Sequence, residues 1–339
     1  MTPVLRSASG IGILVGLGIA VVLVVWQGAD AVAVLLASTG WRLLLVAGFA
    51  VPNLLLATAS WRLLFPSGAP RFGIALAALW IGTSVNVLLP VAGVGGEIVR
   101  ARLIARWSSK TRDAVASVVV DKTVQVATLP LLALIGIASL FPAVEDFNRG
   151  GSDPFGIRPA TLGAAIVGVA LLAIVIALLV LIQRAGAFSF LAAQAVRFAQ
   201  SRKWEGLVER ASDLDGAIRS LYRPGRIAGS CALRLLARLS LAGEVWLAAR
   251  LLGHPISVVD AIALKSLAMV AGGVVFPVPA ALGVQEASFV ALGALIGLPP
   301  DAALATSLAT RVRELLVSVP GLLAWEWVEG RAVWRRRAA

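Results

Sequence analysis

One cysteine, Cys231, and one histidine, His254, are all that 339 residues provide. A lone thiol builds neither an internal disulfide nor a cysteine metal cluster. A lone imidazole leaves almost no room for a zinc site or Ser-His-Asp catalysis, so no metal and no cofactor are expected. Charge is scarce too, at 14% against 59% hydrophobic residues, and the mean hydropathy is +0.91. That balance belongs to an all-α polytopic membrane protein rather than a water-soluble domain. Acidic residues are the rarer sign, with 18 against 30 basic ones. The basic excess lies between apolar runs and lacks interleaved aromatic stacking platforms, so it points to positive-inside loops and not to nucleic acid. No Walker loop, dinucleotide fingerprint or paired-aspartate motif is present. Gly93-Val-Gly-Gly has the composition of a phosphate loop without its spacing. No enzymatic activity is expected.

What the chain does have is long apolar runs. They cover about 11–26, 43–64, 72–89, 114–140, 161–182, 226–252, 258–275 and 284–298, followed by a last span after Pro299-Pro300. No A-x-A site follows the first run, so it reads as a retained span. Residues 183–226 form the extended polar segment, with eight basic and four acidic residues. Phe188, Phe190, Leu191, Ala195 and Phe198 suit a helix lying on the membrane surface. A solvated cytoplasmic helical hairpin suits this segment equally.

Two apolar runs break in the same way. Pro90 is followed by Gly93, Gly95, Gly96 and then Glu97; Pro277 and Pro279 are followed by Gly283 and then Glu286. Proline and glycine inside apolar sequence mean a broken helix. Such backbone is tolerated at membrane depth only where protein or a water-filled cavity satisfies it. The resemblance extends further, at an offset of 188–190 residues. Ile74-Ala-Leu-Ala-Ala-Leu79 parallels Ile262-Ala-Leu-Lys-Ser-Leu267, Asp113 parallels Asp301, and Pro130 parallels Pro320. The single transmembrane domain, 1–339, thus divides into repeats at about 43–140 and 227–328.

Charge sets the orientation. The segments 98–112 and 183–226 and the C-terminus are basic, whereas 141–159 has a slight acidic excess. All obey the positive-inside rule only if 72–106 and 258–298 are re-entrant hairpins that open from opposite sides. The expected fold therefore has about six full spans, two re-entrant hairpins and inverted-topology repeats, with N- and C-termini cytoplasmic. Inverted repeats with broken helices place a site where the repeats meet.

Ionisable residues inside these spans are the candidate site. Glu97 and Glu286 stand where a new helix begins, and each either caps its own helix or faces a polar cavity. Arg100 lies one turn from Glu97 and could pair with it at i,i+3. Arg102, Arg106, Lys110 and Arg112 suit cytoplasmic anchoring, and Arg102 is also a headgroup candidate. Asp121 and Lys122 are deep in a span, where an unpaired charge costs on the order of 2.5–3.5 kcal/mol. They point to different faces and need separate partners. Arg311 and Glu314 share a face at i,i+3, with Arg313 beside them. This cluster is either a cavity wall or a structural ion-pair network. Arg234 could snorkel to the cytoplasm, leaving Arg238 and Glu244 as the deeper candidates. An arginine-rich cavity suits an anionic headgroup.

Pro90-Val-Ala-Gly-Val-Gly-Gly-Glu97-Ile-Val-Arg100, a basic stretch, and Ala116-Ser-Val-Val-Val-Asp121-Lys122 resemble the lysylphosphatidylglycerol synthase transmembrane-region, or flippase-like, family. Gly283-Val-Gln-Glu286, Leu298-Pro-Pro and Arg311-Val-Arg-Glu-Leu-Leu are similar to its hopanoid-biosynthesis-associated branch. The resemblance covers about 10–330. It implies an inner-membrane protein that binds lipids with polar headgroups and moves them between leaflets, with Glu97, Arg100, Asp121, Glu286 and Arg311 in matching positions. Many relatives are expected to carry arginine where this chain has Lys122. The soluble domain that makes aminoacyl-lipids in the synthases is not expected after the last span. The partner is then a membrane lipid, anionic or isoprenoid. The alternative is a subunit of a lipid-biosynthesis complex, catalytic or not, in contact with its enzymes.

Overall fold

The computed structural model describes residues 40–65, 68–89, 95–107, 110–149, 181, 205–274 and 284–335. The span expected at 11–26, that at 161–182 except for Leu181, and the aromatic part of the polar segment lie outside the described residues. Every regular element described is helical. In chain order these are α1 Leu43–Ala47, α2 Ala50–Arg62, α3 Phe72–Leu88, α4 Gly95–Trp107, α5 Thr111–Arg149 and α6 Glu205–Leu221. They continue as α7 Pro224–Ser240, α8 Ala242–Leu251, α9 Val258–Val274, α10 Val284–Leu295 and α11 Pro300–Arg335.

Local chemistry fixes several of these boundaries. At the start of α9 the Ser257 N–H donates to Asp260 Oδ2, and the Asp260 N–H donates back to Ser257 Oγ at 3.0 Å. This reciprocal cap satisfies two N–H groups that a helix start would otherwise strand. The end of α10 closes with the Leu298 N–H donating to the Gly293 carbonyl at 2.9 Å and Gly297 at φ +74°. Only glycine takes that left-handed turn without a Cβ penalty, and Pro299-Pro300 then opens α11 with its φ already set.

Two helices among the described residues are long and apolar enough to cross a membrane: Gly40–Arg62, which combines α1 and α2, and Thr111–Leu140 within α5. The run expected as one span over 226–252 is two helices, interrupted at Leu241 between α7 and α8. The loop expected from 141 is helical as far as Arg149. A proline at 142 and the scattered polar residues read as a break, but the helix that begins at Thr111 continues through them.

Packing is close and built on small residues. Gly82 of α3 faces Gly96 of α4 so tightly that a Cβ on Gly96 would overlap the Gly82 carbonyl oxygen. α3 also packs on α11, where Trp80 Nε1 donates to the Val317 carbonyl at 2.8 Å and Gly321 sits against Ser84. On the other side α5 packs on α9, with Gly136 facing Leu267. α2 and α7 are joined by Asn53 Nδ2 donating to the Ala237 carbonyl at 2.7 Å and Ser60 Oγ donating to the Ser230 carbonyl at 2.8 Å. Small residues that let backbones approach, with side-chain hydrogen bonds across, are how helices associate without a hydrophobic drive. The amphipathic α6 buries Ala217, Ile218 and Leu221 on Val120 and Val124 of α5. Its apolar face is therefore spent on protein. Leu44, Leu45, Val51, Leu131, Leu134, Leu323 and Trp327 point outward from α1, α2, α5 and α11, an apolar surface that water would penalise and hydrocarbon would not.

Gly96→Ala should lower stability by about 1–3 kcal/mol, the usual cost of overpacking, because the obstacle is backbone and cannot rotate away. Thermal unfolding in detergent checks this against Gly73→Ala, where a Cβ meets nothing within 4 Å and stability should hold.

Candidate functional site

The site starts from the break between α3 and α4. Asn86, in the last turn of α3, bridges it: the Gly96 N–H donates to Asn86 Oδ1 at 2.7 Å, and Asn86 Nδ2 donates to Glu97 Oε2 at 2.6 Å. One amide thereby satisfies the start of α4 and orients its first carboxylate. The other oxygen, Glu97 Oε1, takes Lys122 Nζ at 2.9 Å.

Arg100 does not pair with Glu97 one turn away. Its Nη2 lies 2.7 Å from Asp121 Oδ2, and its guanidinium stacks over Trp61, 4.1 Å from the ring centroid. Asp121 is fully buried and also receives Arg234 on Oδ1 and Gln125 Nε2 on Oδ2. The i,i+3 expectation fails because a buried carboxylate one helix away offers a drier and better-matched partner than a local pair. Arg234 likewise does not snorkel; it is buried at 7% exposure. Arg238, one turn on, donates to Thr128 Oγ1 at 2.8 Å.

A second cluster lies on α8, α9, α10 and α11. Arg311 Nε donates to Glu286 Oε1 at 3.0 Å and Arg311 Nη1 to Glu314 Oε2 at 3.0 Å, so the i,i+3 pair expected on α11 is present. Arg313 holds Glu244 through two bonds, of 2.8 and 3.1 Å. Lys265 Nζ stands 2.6 Å from Glu244 Oε1.

Both clusters reach one cavity of about 260 Å³. Glu97, Arg100 and Lys122 line it from one side, and Gln285, Arg311 and Glu314 from the other, with Arg234 between. Glu286 reaches it through Arg311. Glu244 and Arg313 are joined to this wall through Glu314, which Arg313 Nη2 meets at 3.5 Å. Arg102 lies outside the cavity on the exposed side of α4. Of the helix-break residues, Gly95 and Gly96 open α4, whereas Pro90, Gly93, Pro277, Pro279 and Gly283 lie outside the described residues.

The two clusters differ in charge balance. The first combines four cations, Arg100, Lys122, Arg234 and Arg238, with two carboxylates, Glu97 and Asp121. The second matches Lys265, Arg311 and Arg313 to Glu244, Glu286 and Glu314. Sharing one carboxylate leaves the arginines under-used: Arg100 Nε and Arg234 Nε are buried with no hydrogen-bond partner among the described residues.

The match to known sequences bears on what this cavity belongs to. The description lysylphosphatidylglycerol synthase TM region matches residues 13–321. The chain belongs to that family. No curated protein and no solved structure gives a significant match. Membership of the lysylphosphatidylglycerol synthase transmembrane-region family makes this a membrane protein related to lipid metabolism or translocation. It also gives the outward apolar faces of α1, α2, α5 and α11 a medium to meet.

Sequence reasoning missed several residues of this family member's site. Asn86 is an amide four residues before a proline in an apolar run, and Gln125 stands one turn after Asp121 on its face. Gln285 directly precedes Glu286, and Lys265 is a lone cation in an apolar helix. Each carried the same signal, a polar group where lipid would penalise it.

Asp121→Asn should cost about 3–5 kcal/mol by stranding two buried guanidiniums. Adding Arg234→Gln should recover part of that loss. Thermal unfolding of the single and double variants measures the coupling.

Proposed function

We propose that this protein binds a lipid with an anionic polar headgroup in the cavity between its two halves and carries it between leaflets of the inner membrane. The carrying observation is that one cavity receives Glu97, Arg100 and Lys122 from one half and Gln285, Arg311 and Glu314 from the other. The unbalanced cations of the first cluster favour a negatively charged guest, since arginine and lysine held in low dielectric attract phosphate strongly. The branch resemblance of Gly283–Glu286 directs the choice toward a hopanoid-related or other isoprenoid lipid. The reading is that of a carrier and not a catalyst.

The same reading takes the chain as two inverted repeats with six full spans and two re-entrant hairpins, and both termini cytoplasmic. Helix length supports it: 17 residues of α3 and 12 of α10 extend about 25 and 18 Å, short of a hydrocarbon core of about 30 Å. Reciprocal packing supports it as well. By the sequence offset, α3 corresponds to α9 and α5 to α11, and the contacts observed are α3 on α11 and α5 on α9.

Purified protein in phosphatidylcholine vesicles containing a labelled anionic phospholipid should exchange that lipid between leaflets faster than empty vesicles. Glu97→Gln and Glu286→Gln release Lys122 and Arg311 from those carboxylates; each variant should hold the anionic headgroup more tightly and slow its release, and so its exchange, about tenfold. Exchange equal to that of empty vesicles under every ion gradient would reject transport and favour the role of a biosynthetic subunit. For topology, Arg106→Cys and Lys110→Cys should resist a membrane-impermeant thiol reagent applied outside intact cells. Efficient labelling there would sink the re-entrant arrangement.

A further inference from the structure

A second and larger space lies on the outer side of Glu97. It is a groove of about 650 Å³ between α4 and α5, within the range of roughly 300–1,000 Å³ that holds a ligand. Its floor comes from two helical stripes. On α4, Ala101 and Ala105 follow Glu97 at one and two turns; on α5, Val115, Val118 and Val119 face them. The alanines make the groove, because a larger side chain at either position would fill it. Its lip is Ile98, Arg102 and Arg106, also one turn apart, and Ile98 is 65% exposed. From Glu97 to Arg106 the groove extends about 13 Å along α4.

Glu97 lines both spaces. A polar cavity and an apolar groove therefore meet at one carboxylate, which is bonded to Lys122 on the cavity side. The lysine side chain is 36% exposed, against 4% for Arg100 on the neighbouring pair. The Glu97–Lys122 pair is thus the accessible one, worth less than a buried pair and able to exchange partners.

Resting on the lipid reading above, we propose that the α4–α5 groove is the side doorway through which a phosphate-bearing lipid reaches the cavity. Its hydrocarbon chain lies on Ala101, Ala105 and the three valines. Its phosphate passes from Arg106 and Arg102 to Lys122, which leaves Glu97 as the phosphate arrives. Charge complementarity at the lip, an apolar floor and continuity with the polar cavity select an amphiphile over a peptide or a free anion. The two arginines that suit plain cytoplasmic anchoring then have a second task.

The test uses the full chain in vesicles of phosphatidylcholine and phosphatidylglycerol, the latter with a photoactivatable group in mid-chain. Light should attach it to residues 98–106 and 111–119. Ala105→Trp should abolish that attachment, and Ala105→Leu, a milder filling, should weaken it in protein that elutes as the wild type does. Arg102→Gln and Arg106→Gln should each reduce attachment about fivefold for phosphatidylglycerol, and less for a phosphatidylcholine probe. Attachment confined to outward faces, such as Leu131 and Leu134, and insensitive to Ala105→Leu would overturn the doorway. So would complete competition by glycerol phosphate, which would mark a site for a soluble anion. Wild-type leaflet exchange in Ala105→Trp with groove attachment lost would also overturn it while leaving the carrier function standing. Groove attachment without exchange in the wild type would support the lipid site and reject the carrier.

Discussion

A carboxylate with no exposure at all, Asp121, holds guanidiniums from two different helices. Everything at the centre of this protein depends on that clamp. Burying one carboxylate and two arginines is unfavourable unless each gains charge-assisted bonds in good geometry. Arg100 comes from the short helix after the first break, and Arg234 from a helix more than a hundred residues later in the chain. Gln125 uses a remaining lone pair of Asp121, and the Trp61 ring lies under Arg100. The clamp therefore fixes α4, α5 and α7 around one point, and the cavity wall follows from where those helices stand.

Across the cavity a different solution prevails. Three cations and three carboxylates are linked there, with Glu244 at the buried end and Glu314 joining Arg311 to Arg313. The first set is richer in cations, with four against the two carboxylates Glu97 and Asp121. The two sets thus differ in electrostatics: one pairs equal numbers of cations and carboxylates, and the other holds more cations than carboxylates.

Much of this was legible in the sequence, and the parts that were not share a cause. Glu97, Asp121, Lys122, Glu286, Arg311 and Glu314 stood out because ionisable groups in apolar runs need partners. Which partner each takes was not legible. Spacing along one helix favours Glu97 with Arg100, but the choice is made between helices, by burial. Arg234 was misjudged because its nearness to the start of its span suggested a snorkelling side chain, whereas Asp121 on a neighbouring helix draws it inward. Asn86, Gln125 and Gln285 escaped notice because neutral amides are quiet in a charge survey. The helical character of the fold needed only periodicity and length, and so was the easiest to see.

Asn86 leaves little freedom to the codon that encodes it. Its oxygen accepts from the Gly96 N–H and its nitrogen donates to Glu97, so both ends of a short planar amide are committed in opposite senses. Aspartate would set two carboxylates face to face; leucine would abandon both groups; glutamine would overshoot by a methylene. A neutral residue thereby fixes both the start of α4 and the carboxylate that faces the cavity, and each of these replacements would release one or both.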